Sequence, residues 1–151
     1  MSLKSRSAYL GWIRVGMLLA ITLLFLVVWG TAATSKLREG YPPWFDEKFG
    51  GTILATVPGL RASFWILTFS ELVAALLVLA SALRLEFLAR RAPSLLLAAL
   101  TLSLFVFVQL SLGQWLTSDF QATFQLFTYF CGTLLALRVV LESPAGDPRD
   151  E

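Results

Sequence analysis

The chain has no histidine and a single cysteine, Cys131, in 151 residues. Together these absences exclude an internal disulfide, a CxxC redox pair and a His/Cys metal site within one chain. Haem ligation by histidine goes with them. No metal and no intrinsic cofactor are therefore expected. Cys131 stands in an apolar stretch and reads as a small buried hydrophobe. Charge is scarce as well: 15% of residues are charged, against about a quarter in soluble domains. The formal net charge is only +2, and the basic residues fall in short clusters between apolar runs. A nucleic-acid binder needs a clustered basic face, so nucleic acid is not expected as a partner. Without histidine no nucleophile–base arrangement is available apart from Ser–Lys pairs. Gly50-Gly51 lacks the lysine and spacing of a phosphate loop.

Apolar residues are what the chain has in quantity, at 57% of the sequence. Mean hydropathy is +0.74. Val15 to Ser35 is an uncharged run of 21 residues, which Leu10 to Trp12 can extend. About 20 helical residues cross the ~30 Å hydrocarbon layer, so this run is long enough alone. It is too long for the apolar core of a signal peptide and carries no A-x-A site, so it reads as an uncleaved first span. A second span covers Ala62 to Leu83, interrupted only by Glu71, and a third is free of charge from Ala92 to Ser118. Thr117-Ser118-Asp119 turns the chain into a fourth, from Phe120 to about Leu141. The expected fold class is all-α, an integral membrane four-helix bundle with spans near 10–35, 62–83, 93–116 and 120–141. A tail of residues 1–9 precedes it, and residues 142–151 form a polar tail expected to be disordered.

The long connection, Lys36 to Arg61, is punctuated by Pro42-Pro43 and Gly50-Gly51. Within it Trp44, Phe45 and Phe49 recur at helical spacing, opposite Asp46, Glu47 and Lys48. With Tyr41 they form an amphipathic interfacial segment, a lipid anchor or a contact for a partner. Five tryptophans, Trp12, Trp29, Trp44, Trp65 and Trp115, mostly fall at span ends, as in an aromatic belt. Near the spans, Lys4, Arg6, Arg14, Arg84, Arg90, Arg91 and Arg138 lie on one side. Lys36, Arg38, Lys48 and Arg61 lie on the other. Seven against four predicts both termini in the cytoplasm. Arg14 and Arg138 are expected to snorkel to the interface.

Glu71 is the residue that most needs explaining. It lies about 13 Å into its span at helical rise, close to the bilayer middle. A carboxylate there must face the bundle and find a partner, or be protonated. Tyr129 is at a similar depth, with Gln125 and Gln109 about a turn nearer the outer face. Glu71, Gln109, Gln125 and Tyr129 can thus form an intramembrane polar site for a quinone head or a proton relay. The same residues can equally be interhelical glue. Gln121, Gln125, Thr128 and Gly132 share one face of span four, and Gln109 and Gly113 share one of span three. In span one, Gly16, Ala20, Val27, Thr31 and Thr34 make a small-residue face suited to close helix packing.

These features resemble the DoxX-like superfamily of four-helix membrane proteins, which includes MauE-type members. The resemblance rests on Arg14 and Gly16 early in span one and on Gly30-Thr31-Ala32-Ala33-Thr34-Ser35-Lys36-Leu37 at its exit. The aromatic, proline-containing loop and the run Glu71-Leu72-Val73-Ala74-Ala75-Leu76-Leu77-Val78-Leu79 also match. It covers Arg14 to Leu141, with Ala74-Ala75 standing where glycine is frequent. Such a resemblance implies quinone-linked or sulfur-linked redox partners, as in the membrane subunit of a thiosulfate–quinone oxidoreductase. MauE-like members instead assist maturation of a periplasmic electron-transfer enzyme, and some eukaryotic relatives look like assembly chaperones. The expectation is an accessory or structural subunit of a larger redox or electron-transfer complex in a bacterial-type inner membrane. Its partners would be the lipid bilayer and other subunits of that complex, with quinone or lipid as the bound molecule. The alternatives are a quinone-reactive oxidoreductase subunit using Glu71, a maturation factor, or a small transporter.

Overall fold

Helix begins almost at once and is interrupted only where proline, glycine or a polar turn forces it. The computed structural model describes residues 3–88 and 92–142. Its order is α1 (Leu3–Glu39), α2 (Pro43–Phe49), a 3-10 turn (Ile53–Ala55), α3 (Leu60–Leu83), α4 (Ser94–Leu116) and α5 (Phe120–Glu142). No strand occurs among the described residues, so the fold is all-α. Four of the helices are long and apolar enough to cross a membrane: Tyr9–Glu39, Leu60–Leu83, Ser94–Leu116 and Phe120–Glu142. These mark a multi-pass membrane protein.

Each boundary has a local cause. Helix α1 stops at Gly40, whose φ of +70° suits glycine and whose N–H returns to the Lys36 carbonyl at 2.9 Å. The expected first span ended at Ser35; the helix runs four residues further, because Lys36 to Glu39 stay helical until that glycine. Pro43 opens α2 at a position where a missing N–H costs nothing. The N-terminus of α4 is held by Glu86, whose carboxylate accepts from the backbone N–H groups of Leu95 and Leu96 at 3.2 and 3.1 Å. A negative group at this end also complements the helix dipole. Helix α5 is capped by Asp119, which accepts from the Ala122 N–H at 3.1 Å.

The close neighbours among the long helices are α1 with α3, α3 with α4 and α4 with α5. The core joins Leu18, Phe25 and Trp29 of α1 to Ala74, Ala75 and Val78 of α3 and to Leu96, Ala99, Leu100, Val106 and Phe107 of α4. Helix α5 adds Val140. Ala74 is completely buried, and alanine is small enough for helices to pack closely there. Trp29 departs from the belt expected of the tryptophans. It is 1% exposed, and its Nε1 donates to Ser103 Oγ on α4 at 2.7 Å. An indole with a satisfied N–H can be buried at mid-span, which a position count alone does not show.

The small-residue face of α1 points outward: Gly16, Ala20, Val27, Thr31 and Thr34 are all exposed. The packed face is Leu18, Thr22, Phe25, Trp29 and Ala33. Arg14 differs from a snorkelling arginine, because its Nε and Nη2 are buried without a hydrogen-bond partner. Arg138 does reach outward and pairs with Glu142 at 2.7 Å. Arg90, Arg91 and the tail from residue 143 lie outside the described residues.

Candidate functional site

The face of α3 that turns inward reads Phe64, Thr68, Glu71, Ala75 and Val78, a helical stripe in which only Glu71 can carry charge. Glu71 is 1% exposed and sits near the midpoint of the helix. Its partner is Lys36, from the last turn of α1. The Lys36 ammonium donates to both carboxylate oxygens, at 2.8 and 2.7 Å. The lysine side chain is 24% exposed and the glutamate side chain 2%. Because a residue at the end of α1 reaches the middle of α3, the first half of α3 runs on beyond α1. The long connection covers that half.

That covering is aromatic. Phe45 and Phe49 of α2 turn inward and pack with Phe64. Ring centroids are 4.5 Å apart for Phe45–Phe49, 5.4 Å for Phe45–Phe64 and 5.3 Å for Tyr41–Phe64. Trp44 alone of the interfacial aromatics in α2 stays outside, at 52% exposure. So the three aromatics of α2 do not share a lipid-facing side; two cap the bundle and one faces out. The hydroxyl of Tyr41 donates to Asp46, while its ring lies 5.4 Å from the Arg61 guanidinium. Desolvation is the first cause holding the Tyr41 phenol above its ordinary pKa; the Asp46 hydrogen bond and charge add to it, and Arg61 opposes. Lys48 pins α2 to the α4–α5 turn, bonding Gln114 at 2.7 Å and facing Asp119 at 3.6 Å.

The other polar residues singled out in the sequence do not join Glu71. Gln109 on α4 bonds Ser70, the chain neighbour of Glu71 on another face of α3, at a long 3.4 Å. Tyr129 is 56% exposed on α5, its ring 6.1 Å from Phe107. Gln125 is exposed on the same helix, and its side chain has no hydrogen-bond partner among the described residues. Gln121, Thr128 and Gly132, which share its face, are exposed too. Among the described residues no group of His, Cys, Asp and Glu side chains is placed to hold a metal ion.

Sequence reasoning missed Lys36 as the partner because it lay in what reads as a loop. A signal was present: Lys36 is the first charge after an uncharged span, and an intramembrane acid needs a cation within reach of a helix end. No family model, no curated protein and no solved structure matches the chain. Chemically, the pair holds two opposite charges in a low-dielectric bundle with no net charge. Nζ has one further N–H beyond the two given to Glu71. Removing Lys36 would strand a carboxylate inside the bundle, which gives the pair control over how α1 docks on α3.

Proposed function

We propose that this protein is a non-catalytic accessory subunit that packs against a larger membrane complex through the outer face of α5. The observation that carries this reading is Gln125, an amide on a membrane-crossing helix that faces away from the bundle with no partner among the described residues. Such an amide is costly in hydrocarbon, and a neighbouring transmembrane helix with hydrogen-bonding side chains would satisfy it. Gln121, Thr128 and Gly132 continue the face at helical spacing and allow close approach. Beside it, a groove of about 490 Å³ between α4 and α5 is lined by Trp115, Phe127 and Phe130.

A DoxX-like identity, and with it a redox or electron-transfer complex, is the family reading that goes with this role. It is supported by the meeting of two of the motif pieces on which the resemblance rests, the Lys36-Leu37 exit of α1 and the Glu71 helix. A bacterial-type inner membrane with both termini cytoplasmic goes with this reading, and the seven-against-four count of basic residues supports that orientation.

Gentle solubilisation at native expression level, followed by size analysis, tests the role. The expected result is a large assembly that loses this chain when Gln121 and Gln125 are both replaced by Leu. A lone monomer with no co-purifying protein would overturn it.

A further inference from the structure

Under α2, between the outer ends of α3 and α4, lies a cleft of about 210 Å³. We propose that it binds the uncharged, oxygen-bearing head of a membrane lipid, which enters sideways from the bilayer. Its mouth is formed by Ile66 and Leu112, 52% and 50% exposed on the flank of the bundle. Its walls include Phe45 and Phe49, the inward rings of α2. The roof is fastened by the Lys48 contacts to Gln114 and Asp119, so the cleft is a standing feature of the fold.

Two polar groups in the lining have capacity to spare. The Ser63 hydroxyl is buried without any hydrogen-bond partner. Among the described residues the Gln109 amide makes only the long contact through Nε2 to Ser70, which leaves its carbonyl oxygen without a partner there. A hydroxyl donor and an amide acceptor fit a head that carries a hydroxyl or a carbonyl. No charged side chain lines the cleft. Lys48, which fastens the roof, is engaged by Gln114 and Asp119. A phosphate, carboxylate or ammonium head would enter without a counter-charge, which apolar surroundings penalise strongly. The volume is below the ~300–1,000 Å³ of pockets that enclose a whole ligand, so a head fits and its tail leaves through the mouth.

This site is separate from the outer face of α5, and its failure would leave the accessory role untouched. The test uses the full-length protein in lipid nanodiscs with three photoreactive probes sharing one diazirine-bearing hexadecyl chain. One ends in an alcohol, one in a carboxylate and one in an amine, and adducts are mapped by peptide mass. Alcohol adducts are expected on residues 63–67 and 109–114, about tenfold above the charged probes, as the desolvation cost of a charge requires. Unlabelled hexadecanol should compete them away. Gly113 lies on the cleft floor, where an added Cβ would meet the Phe49 ring at an ordinary 3.5 Å. Gly113→Ala should therefore keep the labelling and Gly113→Leu should abolish it. Ser63→Ala, which removes one hydrogen-bond donor, should weaken labelling about three- to tenfold. Equal labelling by all three heads, adducts spread over the lipid-facing side chains, or labelling indifferent to Ser63→Ala and to hexadecanol would overturn the proposal. The last two readouts decide the matter even where Gly113→Leu does not fold.

Discussion

Helices α3 and α5 are nearly the same length, 24 and 23 residues, and each carries polar side chains in its middle. They use them in opposite ways. Helix α3 lies between α1 and α4 and buries seven residues, including a carboxylate whose two oxygens are both bonded. Helix α5 packs closely on α4, buries only Thr133 and Val140, and turns its amides outward. In lipid, where apolar contact alone gives no drive for association, a polar residue acts through whatever partner its face meets. The partner of Glu71 is inside the chain, whereas the Gln125 side chain bonds none of the described residues.

The largest effect expected from this contrast is at the ion pair. Lys36→Met should lower stability by about 3–5 kcal/mol, since it strands the buried Glu71 carboxylate, and Glu71→Leu should cost less, because Lys36 is part-exposed at the end of α1. The double replacement should recover most of that loss. Unfolding of the purified protein in mixed micelles measures all three, and a double variant no better than the singles would break the argument. Next in size is Ala74, fully buried on α3. Enlarging it to Leu should cost about 1–3 kcal/mol by overpacking, again read by unfolding.

On α5 the same kind of change should be nearly silent. Gln125→Leu is expected to shift the stability of the isolated chain by less than about 0.5 kcal/mol, because it removes no internal bond. A larger loss would mean that Gln125 has a partner within the chain. The smallest effect concerns the cap over α3. Tyr41 should titrate above the ordinary phenol value near 10, and Asp46→Asn should move it down. The folded state holds this proton more tightly than the unfolded one. The contribution of the cap is therefore present below the ordinary phenol pKa and is lost as pH rises through the raised value. Phenolate absorbance across an alkaline titration reports the shift.

Much of the fold is legible in one dimension. Runs of uncharged residues longer than the hydrocarbon layer, broken at Pro42-Pro43, at the basic turn after Leu83 and at Thr117-Ser118-Asp119, place the spans to within a few residues. The end of α1 was misjudged because a charged residue reads as the end of a membrane span, yet Lys36 remains helical and turns its ammonium inward. The candidate site was half legible. Glu71 stands out by its depth, and the requirement for a partner follows from the cost of burying a charge. Which partner it takes was not legible, because depth ranks residues along the membrane normal and says nothing of their direction around a helix. Tyr129 matches Glu71 in approximate depth, with Gln125 about a turn away, and both face away from the bundle; Lys36, assigned to a loop, supplies the contact.

What the sequence determined by itself, then, is the solvent and the number of crossings: stretches this apolar and this long are stable as helices in hydrocarbon. Tertiary structure decided which face of each helix is the inner one. It turned the small residues of α1 outward, drew Trp29 into the core against Ser103, and closed Phe45 and Phe49 over Phe64. The reason is physical. Every face of these helices is apolar enough for lipid, so amphipathicity does not choose among them; shape fit and the few available hydrogen bonds do.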